Sequence, residues 1–126
     1  MANGRAEIEF AYDDGRTRLA HLDQSDPLRI LFPEVANDEP TTGALVTTSG
    51  GLVGGDQLAI QVHGAARTAS RIVGQAAEKV YRSTGADVTI EVRLDASEGA
   101  WLEWLPQETI LFESARMRRL TRAEVG

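Results

Sequence analysis

The densest run of glycine in the chain, Ser49-Gly50-Gly51-Leu52-Val53-Gly54-Gly55-Asp56, is the first place where residue types could do chemistry, because glycine-rich loops cradle phosphates. The spacing does not fit. A phosphate loop needs Lys and Ser or Thr after its last glycine, and a dinucleotide fingerprint needs Gly-x-Gly-x-x-Gly opening a helix. Here Asp56 follows, and then an alternating run that reads as a strand. The segment fits a turn whose backbone needs unusual dihedrals or a close approach to a neighbour.

His21 and His63 are the only histidines, and cysteine is absent. Zinc-type sites want three or four clustered ligands. Either histidine with Asp56, Glu103 or Glu108 suits a weak, transient nickel site, since imidazole and carboxylate both serve that ion; solvated surface histidines are the plainer reading. Ser49, Ser70 and Ser83 lack the elbow context that exposes a nucleophile. Glu103 and Glu108 imitate a glycosidase pair only loosely, because a spacing of five positions with Pro106 between them fixes no separation. The enzyme alternative left open is a β-sandwich metal-dependent hydrolase using Asp, Glu and His. Lys79-Val80-Tyr81-Arg82-Ser83 and Trp101 to Glu108 are instead dense in aromatics and Arg, the residue types that anchor interfaces.

These residues need elements to hold them, and the dominant signal is alternation with period two. Val88, Ile90, Val92 and Leu94 alternate with Thr89, Glu91, Arg93 and Asp95; Leu58, Ile60 and Val62 repeat the pattern, as do Ile8, Phe10 and Tyr12. Asp14-Gly15 sits where a tight hairpin turn belongs, with Leu19 to Leu22 returning. Leu28 to Phe32 is a short apolar piece bracketed by prolines, and Glu34 to Thr42 reads as a surface loop. Trp101 to Leu105 and Thr109 to Phe112 complete the strand candidates; Trp101 and Trp104, three apart, should leave opposite faces. Turn signals about every ten residues fit a layered all-β fold. One stretch is ambiguous: Ala65, Ala66, Ala69, Ile72, Val73, Ala76, Val80 and Tyr81 fall at helical spacing, whereas Gly74 and the β-branched pair Ile72-Val73 favour strand. No internal repeat and no linker is visible.

Length and charge set the outer limits. A chain of 126 residues fits a single domain. The lack of cysteine points to a reducing compartment, the cytoplasm, and no apolar run reads as a signal or a membrane span. A net charge of -6 argues against a phosphate backbone as partner. Arg116, Arg118, Arg119 and Arg122 crowd the last eleven positions and read as a solvated strand face.

Three separated motifs in one order then carry a resemblance: Gly50 to Asp56, Gln75-Ala76-Ala77 through Ser83, and Trp101 to Phe112. From about Ile8 to the C-terminus the chain resembles the urease accessory protein family UreD, also called UreH. Family members are about twice this long, so the resemblance implies that residues 1–126 form a single β-rich domain, the N-terminal part of a longer protein. The chain departs from the family pattern at Ala69-Ser70-Arg71-Ile72-Val73-Gly74 and at Glu78. The resemblance implies an all-β, mainly antiparallel, two-layered architecture with few or no helices, and it tips residues 65 to 82 toward strand. It implies a non-enzymatic chaperone of urease maturation that binds apo-urease and the accessory protein UreF, with the GTPase UreG reached indirectly through the complex. Nickel would be transient cargo and no cofactor would be bound tightly. Asp56, Ser83 and Glu108, inside the matching motifs, are the expected lining of a nickel passage. Lys79, Tyr81, Arg82, Trp104 and Gln107 are the expected partner-binding or framework residues.

Overall fold

Alternating side chains become strands because a sheet presents every second residue to one face. In the computed structural model every regular element is a strand. The structure describes residues 3–36, 38–48, 51–74, 85–106 and 117–126, and the backbone of 78–80 and 109–111; among these there is no helix. None of the described residues forms a helix long and apolar enough to cross a membrane.

Two hairpins open the chain: β1 (Asn3–Asp13) with β2 (Arg16–Ser25), and β3 (Leu28–Leu31) with β4 (Thr41–Thr47). Then come β5 (Gln57–Gly64), β6 (Ala69–Gly74), β7 (Glu78–Val80), β8 (Val88–Ala96), β9 (Trp101–Leu105), β10 (Thr109–Leu111) and β11 (Met117–Val125). They assemble as a five-stranded sheet in the order β11-β8-β5-β1-β2, a four-stranded sheet in the order β3-β4-β6-β9, and the pair β10-β7.

The expected mainly antiparallel pairing is not what forms, although the fold is all-β. Among the described residues only β1 with β2 and β3 with β4 run antiparallel. The other described pairings, β1 with β5, β5 with β8, β8 with β11, β4 with β6, β6 with β9 and β7 with β10, are parallel. The cause is connectivity: a tight turn can join only antiparallel neighbours. Asp14-Gly15 makes such a turn, with positive φ at both residues. After β4 no two consecutive strands share a sheet, so the chain changes layer at every step and returns to each layer running the same way. Gln57 faces Thr89, Ala69 faces Trp101, Glu78 faces Thr109 and Val88 faces Met117, so each lap takes about thirty residues. The sequence shows no repeat because register repeats geometry and not side-chain identity: Val62 sits beside Leu94, and Ile72 beside Trp104.

The core lies between the two larger sheets. Ala6, Ile60 and Val92 form one cross-strand row; Ile8, Val62 and Leu94 form the next. Against them pack Leu28, Ile30, Leu45 and Ile72 from the four-stranded sheet and Leu52 from the glycine loop. Each fully buried aliphatic side chain of this kind stabilises by about 1.5–3 kcal/mol. Tyr12 continues the alternation of Ile8 and Phe10 yet is exposed, because the pairing of β1 with β5 ends at Phe10.

The ambiguous stretch resolves into a turn and two strands. Thr68 donates from its backbone N–H and from Oγ1 to Ala65 O, and β6 then runs between β4 and β9 with Ile72 buried. Helical spacing lost because two parallel neighbours satisfy this backbone and bury Ile72 on one face only. Residues 75–77 and 81–82 lie outside the described residues. The surface loop expected over Glu34 to Thr42 gives way to β4 at Thr41. Gly43 belongs there because a Cβ would stand 2.9 Å from Ile30 Cγ2 and 3.0 Å from Ile72 Cδ1.

A tight approach occurs at Gly4, where a Cβ would lie 2.6 Å from Pro27 Cδ, a ring atom that cannot swing aside. Gly4→Ala is therefore expected to destabilise by about 1–3 kcal/mol in urea unfolding. Gly85→Ala, with nothing within 4 Å of the new methyl, should stay within about 0.5 kcal/mol of the parent. Equal midpoints for the two variants would disprove the packing of β1 on the β2–β3 turn.

Candidate functional site

Asp56 ends the glycine loop immediately before β5, and it is 4 % exposed. Its carboxylate accepts from Val53 N–H at 2.9 Å, and its own N–H donates to Val53 O at 3.0 Å, so the loop closes on itself. Gly55, with φ 92°, donates to Asp87 O, and Thr89 N–H donates to Asp56 O at 2.9 Å. The loop is thus a turn welded to the start of β8, as its residue types imply, with a buried carboxylate held in fixed orientation. Ser49 and Gly50 lie outside the described residues.

Trp104 is half-buried on the inner side of β9, packs on the core and lines a cavity of about 190 Å³ between the sheets with Leu45, Ile60, Ile90 and Val92. Trp101 leaves the opposite face and is 61 % exposed, as its odd spacing from Trp104 requires. Lys79 sits in β7 opposite Ile110 of β10. Tyr81, Arg82, Ser83, Gln107 and Glu108 lie outside the described residues.

The histidines do not join Asp56 or Glu103. His63 Nδ1 is 2.8 Å from Asp95 Oδ2 on the outer face of the five-stranded sheet, and its Nε2 is 3.8 Å from Glu9 Oε1. His21 Nε2 is 3.7 Å from Glu7 Oε2 on the same sheet. Register accounts for these neighbours, since Glu9 lies opposite both His21 and His63, and His63 opposite Asp95. Among the described residues no group of three or more His, Asp or Glu is disposed to hold a metal ion.

A more organised cluster, which sequence reasoning did not single out, lies on the outer face of the four-stranded sheet. Arg71 of β6 reaches Glu103 of β9 through both Nε (3.3 Å) and Nη2 (3.2 Å), and its Nη1 donates to Glu39 Oε2 at 2.9 Å. Trp101 Nε1 donates to Glu103 Oε1 at 2.8 Å. The hydrogen bonds from Arg71 and then from Trp101 hold the Glu103 carboxyl below its ordinary value, and those from Arg71 to Glu103 and Glu39 raise the guanidinium. The sequence offered Glu103 and Trp101 as separate candidates and Arg71 only within a segment departing from the family pattern. Its pairing with Glu103 needs the parallel register, which no local pattern reveals.

Comparison with known proteins is consistent with the motifs. Residues 2–126 match the family model described as UreD urease accessory protein. The chain is 50 % identical over 123 residues to urease accessory protein UreD of Magnetococcus marinus, covering 98 % of this chain and 43 % of that protein. It is 42 % identical over 120 residues to urease accessory protein UreD 3 of a Bradyrhizobium species, covering 94 % and 42 %. Urease accessory protein UreD 1 of Brucella anthropi is 40 % identical over 123 residues, covering 98 % and 43 %. The chain therefore spans less than half the length of these curated relatives.

The Glu103 cluster sets an acid-range expectation. A carboxyl whose folded value is depressed contributes stability that is complete above its ordinary value, 4.5, and lost as pH falls through the depressed value. The Trp101 indole N–H resonance should hold its position as pH falls through 4.5 and move only below it, and Arg71→Ala should bring that transition back up. A wild-type transition at or above 4.5 would contradict the cluster.

Proposed function

The chain belongs to the UreD urease accessory protein family, and from that premise we propose that it is the N-terminal part of a non-enzymatic chaperone that supports nickel insertion into urease. The observation that carries this reading is the family match, which runs over residues 2–126. In the proposed assembly the protein binds apo-urease and a UreF-type accessory protein in the cytoplasm, and a UreG-type GTPase joins through the complex. Nucleotide chemistry then belongs to the GTPase. A glycine loop that closes on Asp56 and leads into a strand agrees with that division, because it opens no helix to receive a phosphate.

Nickel is cargo in this reading. A passage for a divalent cation wants carboxylates and hydroxyls that hold it weakly enough to release it, although nickel also accepts imidazole readily. We assign Asp56, Ser83 and Glu108 to such a lining. The buried, oriented carboxylate of Asp56 suits the task, since its position does not depend on a mobile side chain. Lys79, Tyr81, Arg82, Trp104 and Gln107 are assigned to partner binding or to the framework behind it. For Trp104 the framework role has the stronger support, because its ring packs on the core.

The reading is tested by capture from cells co-expressing apo-urease and the UreF-type protein, using the tagged full-length protein and residues 1–126. Capture of both partners by the full-length protein is expected, and capture by neither form would overturn the scaffold reading. The nickel assignment has its own test in the full-length protein. Asp56→Asn keeps an acceptor for Val53 N–H, so its thermal midpoint should stay within a few degrees of wild type while urease activation falls at least tenfold, more so when combined with Glu108→Gln. Full activation by the double variant would remove Asp56 and Glu108 from the nickel route.

A further inference from the structure

Fully exposed tryptophan is expensive to leave in water, and it is common at the centre of protein interfaces. Trp101 is 61 % exposed, yet its ring is not loose: Nε1 is bonded to Glu103, which is gripped by Arg71, which in turn is tied to Glu39 of the β3–β4 loop. A side chain ordered in advance loses little entropy on binding, so this indole is prepared for a contact before any partner arrives. Core packing does not explain the arrangement, because Trp101 points away from the core that Trp104 joins.

The surroundings define what would fit. Along β9 the outward residues are Trp101, Glu103 and Leu105, with Leu105 48 % exposed. Leu105 ends a cross-strand apolar row made by Leu31, Ala44, Val73 and Leu105, in which Ala44 is buried and Val73 half-buried, so that only the two end leucines are open to a partner. Leu31, at 49 % exposure, closes the far end. The patch therefore carries an indole at one end, an apolar row about 13 Å away along β9, and the Arg71–Glu103 pair between them. Two carboxylates, Glu39 and Glu103, share one guanidinium, so the centre keeps an excess negative charge. The whole chain carries -6.

From this arrangement we infer that the outer face of the four-stranded sheet is a docking surface for a protein partner that lays an Arg or Lys on the Trp101 ring and an apolar side chain on the row ending at Leu105. The indole face attracts a cation through its quadrupole, and the surplus carboxylate beside it adds to that attraction. The inference rests on the proposed scaffold function and supplies the surface that the assignment of partners lacks.

The test uses the full-length protein and measures its affinity for apo-urease and for the UreF-type accessory protein separately. Trp101→Ala should weaken one of the two at least tenfold, and Trp101→Phe, which keeps a π face, should stay within about threefold of wild type. Trp101→Leu keeps apolar area without the quadrupole and should behave like the alanine variant. Tyr12→Ala, an exposed aromatic on the other sheet, should change neither affinity. Unchanged binding of both partners by Trp101→Ala would overturn the surface while leaving the scaffold function intact. Wild-type binding by Trp101→Leu would overturn the basic character of the partner. If the wild-type protein binds neither partner, the scaffold function fails and this inference falls with it.

Discussion

Parallel pairing between strands about thirty residues apart is the constraint on which the rest of this structure depends. Because β8, the next neighbour of β5, runs parallel to it, no short turn can join the two, and the chain must leave the sheet, cross to the opposite layer and come back. Each crossing puts the intervening strand on the other layer, so both sheets grow together and the core between them grows by one row per lap. Loops are confined to the ends of the strands, and the glycine loop is one of them: its buried Asp56, its bonds to Val53 and its ties to Asp87 and Thr89 fix where β5 and β8 begin.

The same register decides what the two outer faces display. On the five-stranded sheet it sets Glu9 beside His21 and His63, and His63 beside Asp95, a polar row that satisfies itself. On the four-stranded sheet it sets Arg71 beside Glu103 and builds the apolar row from Leu31 to Leu105. Parallel sheets usually have both faces covered. Here the inner faces form the core, while the outer faces leave Trp101, Leu31 and Leu105 exposed although Thr42 and Ala44 of β4 are buried.

Strand positions were legible where one face is buried, because alternation in Ile8–Phe10, Leu58–Val62 and Val88–Val92 follows directly from a half-buried sheet. The Asp14-Gly15 hairpin was legible for a different reason, its demand for positive φ. Pairing direction was not legible, since alternation is the same for parallel and antiparallel strands, and the mainly antiparallel expectation rested on the family resemblance alone. Strand β4 was obscured by its polar start and by Gly43, whose role is visible only when Ile30 and Ile72 close in from both sides. Residues 69–74 imitated a helix because buried and small residues happened to fall at both periods. The site was legible in part: Asp56 and the Trp101–Trp104 pair stood out by type and spacing, whereas Arg71 and Glu39 gain meaning only through contacts 32 residues away in sequence.

Direction of pairing between β5 and β8 is the point at which the account is most exposed, and the natural lack of cysteine makes it testable by crosslinking. Parallel register places Gln57 beside Thr89 and His63 beside Asp95, all outside the core. Cysteines introduced at 57 and 89, or at 63 and 95, should form disulfides rapidly under mild oxidation, while the pairs 57 with 95 and 63 with 89 should not. The reverse pattern would mean antiparallel strands, and with it the layer-to-layer winding, the Arg71–Glu103 pairing and the surface built on it would all be wrong.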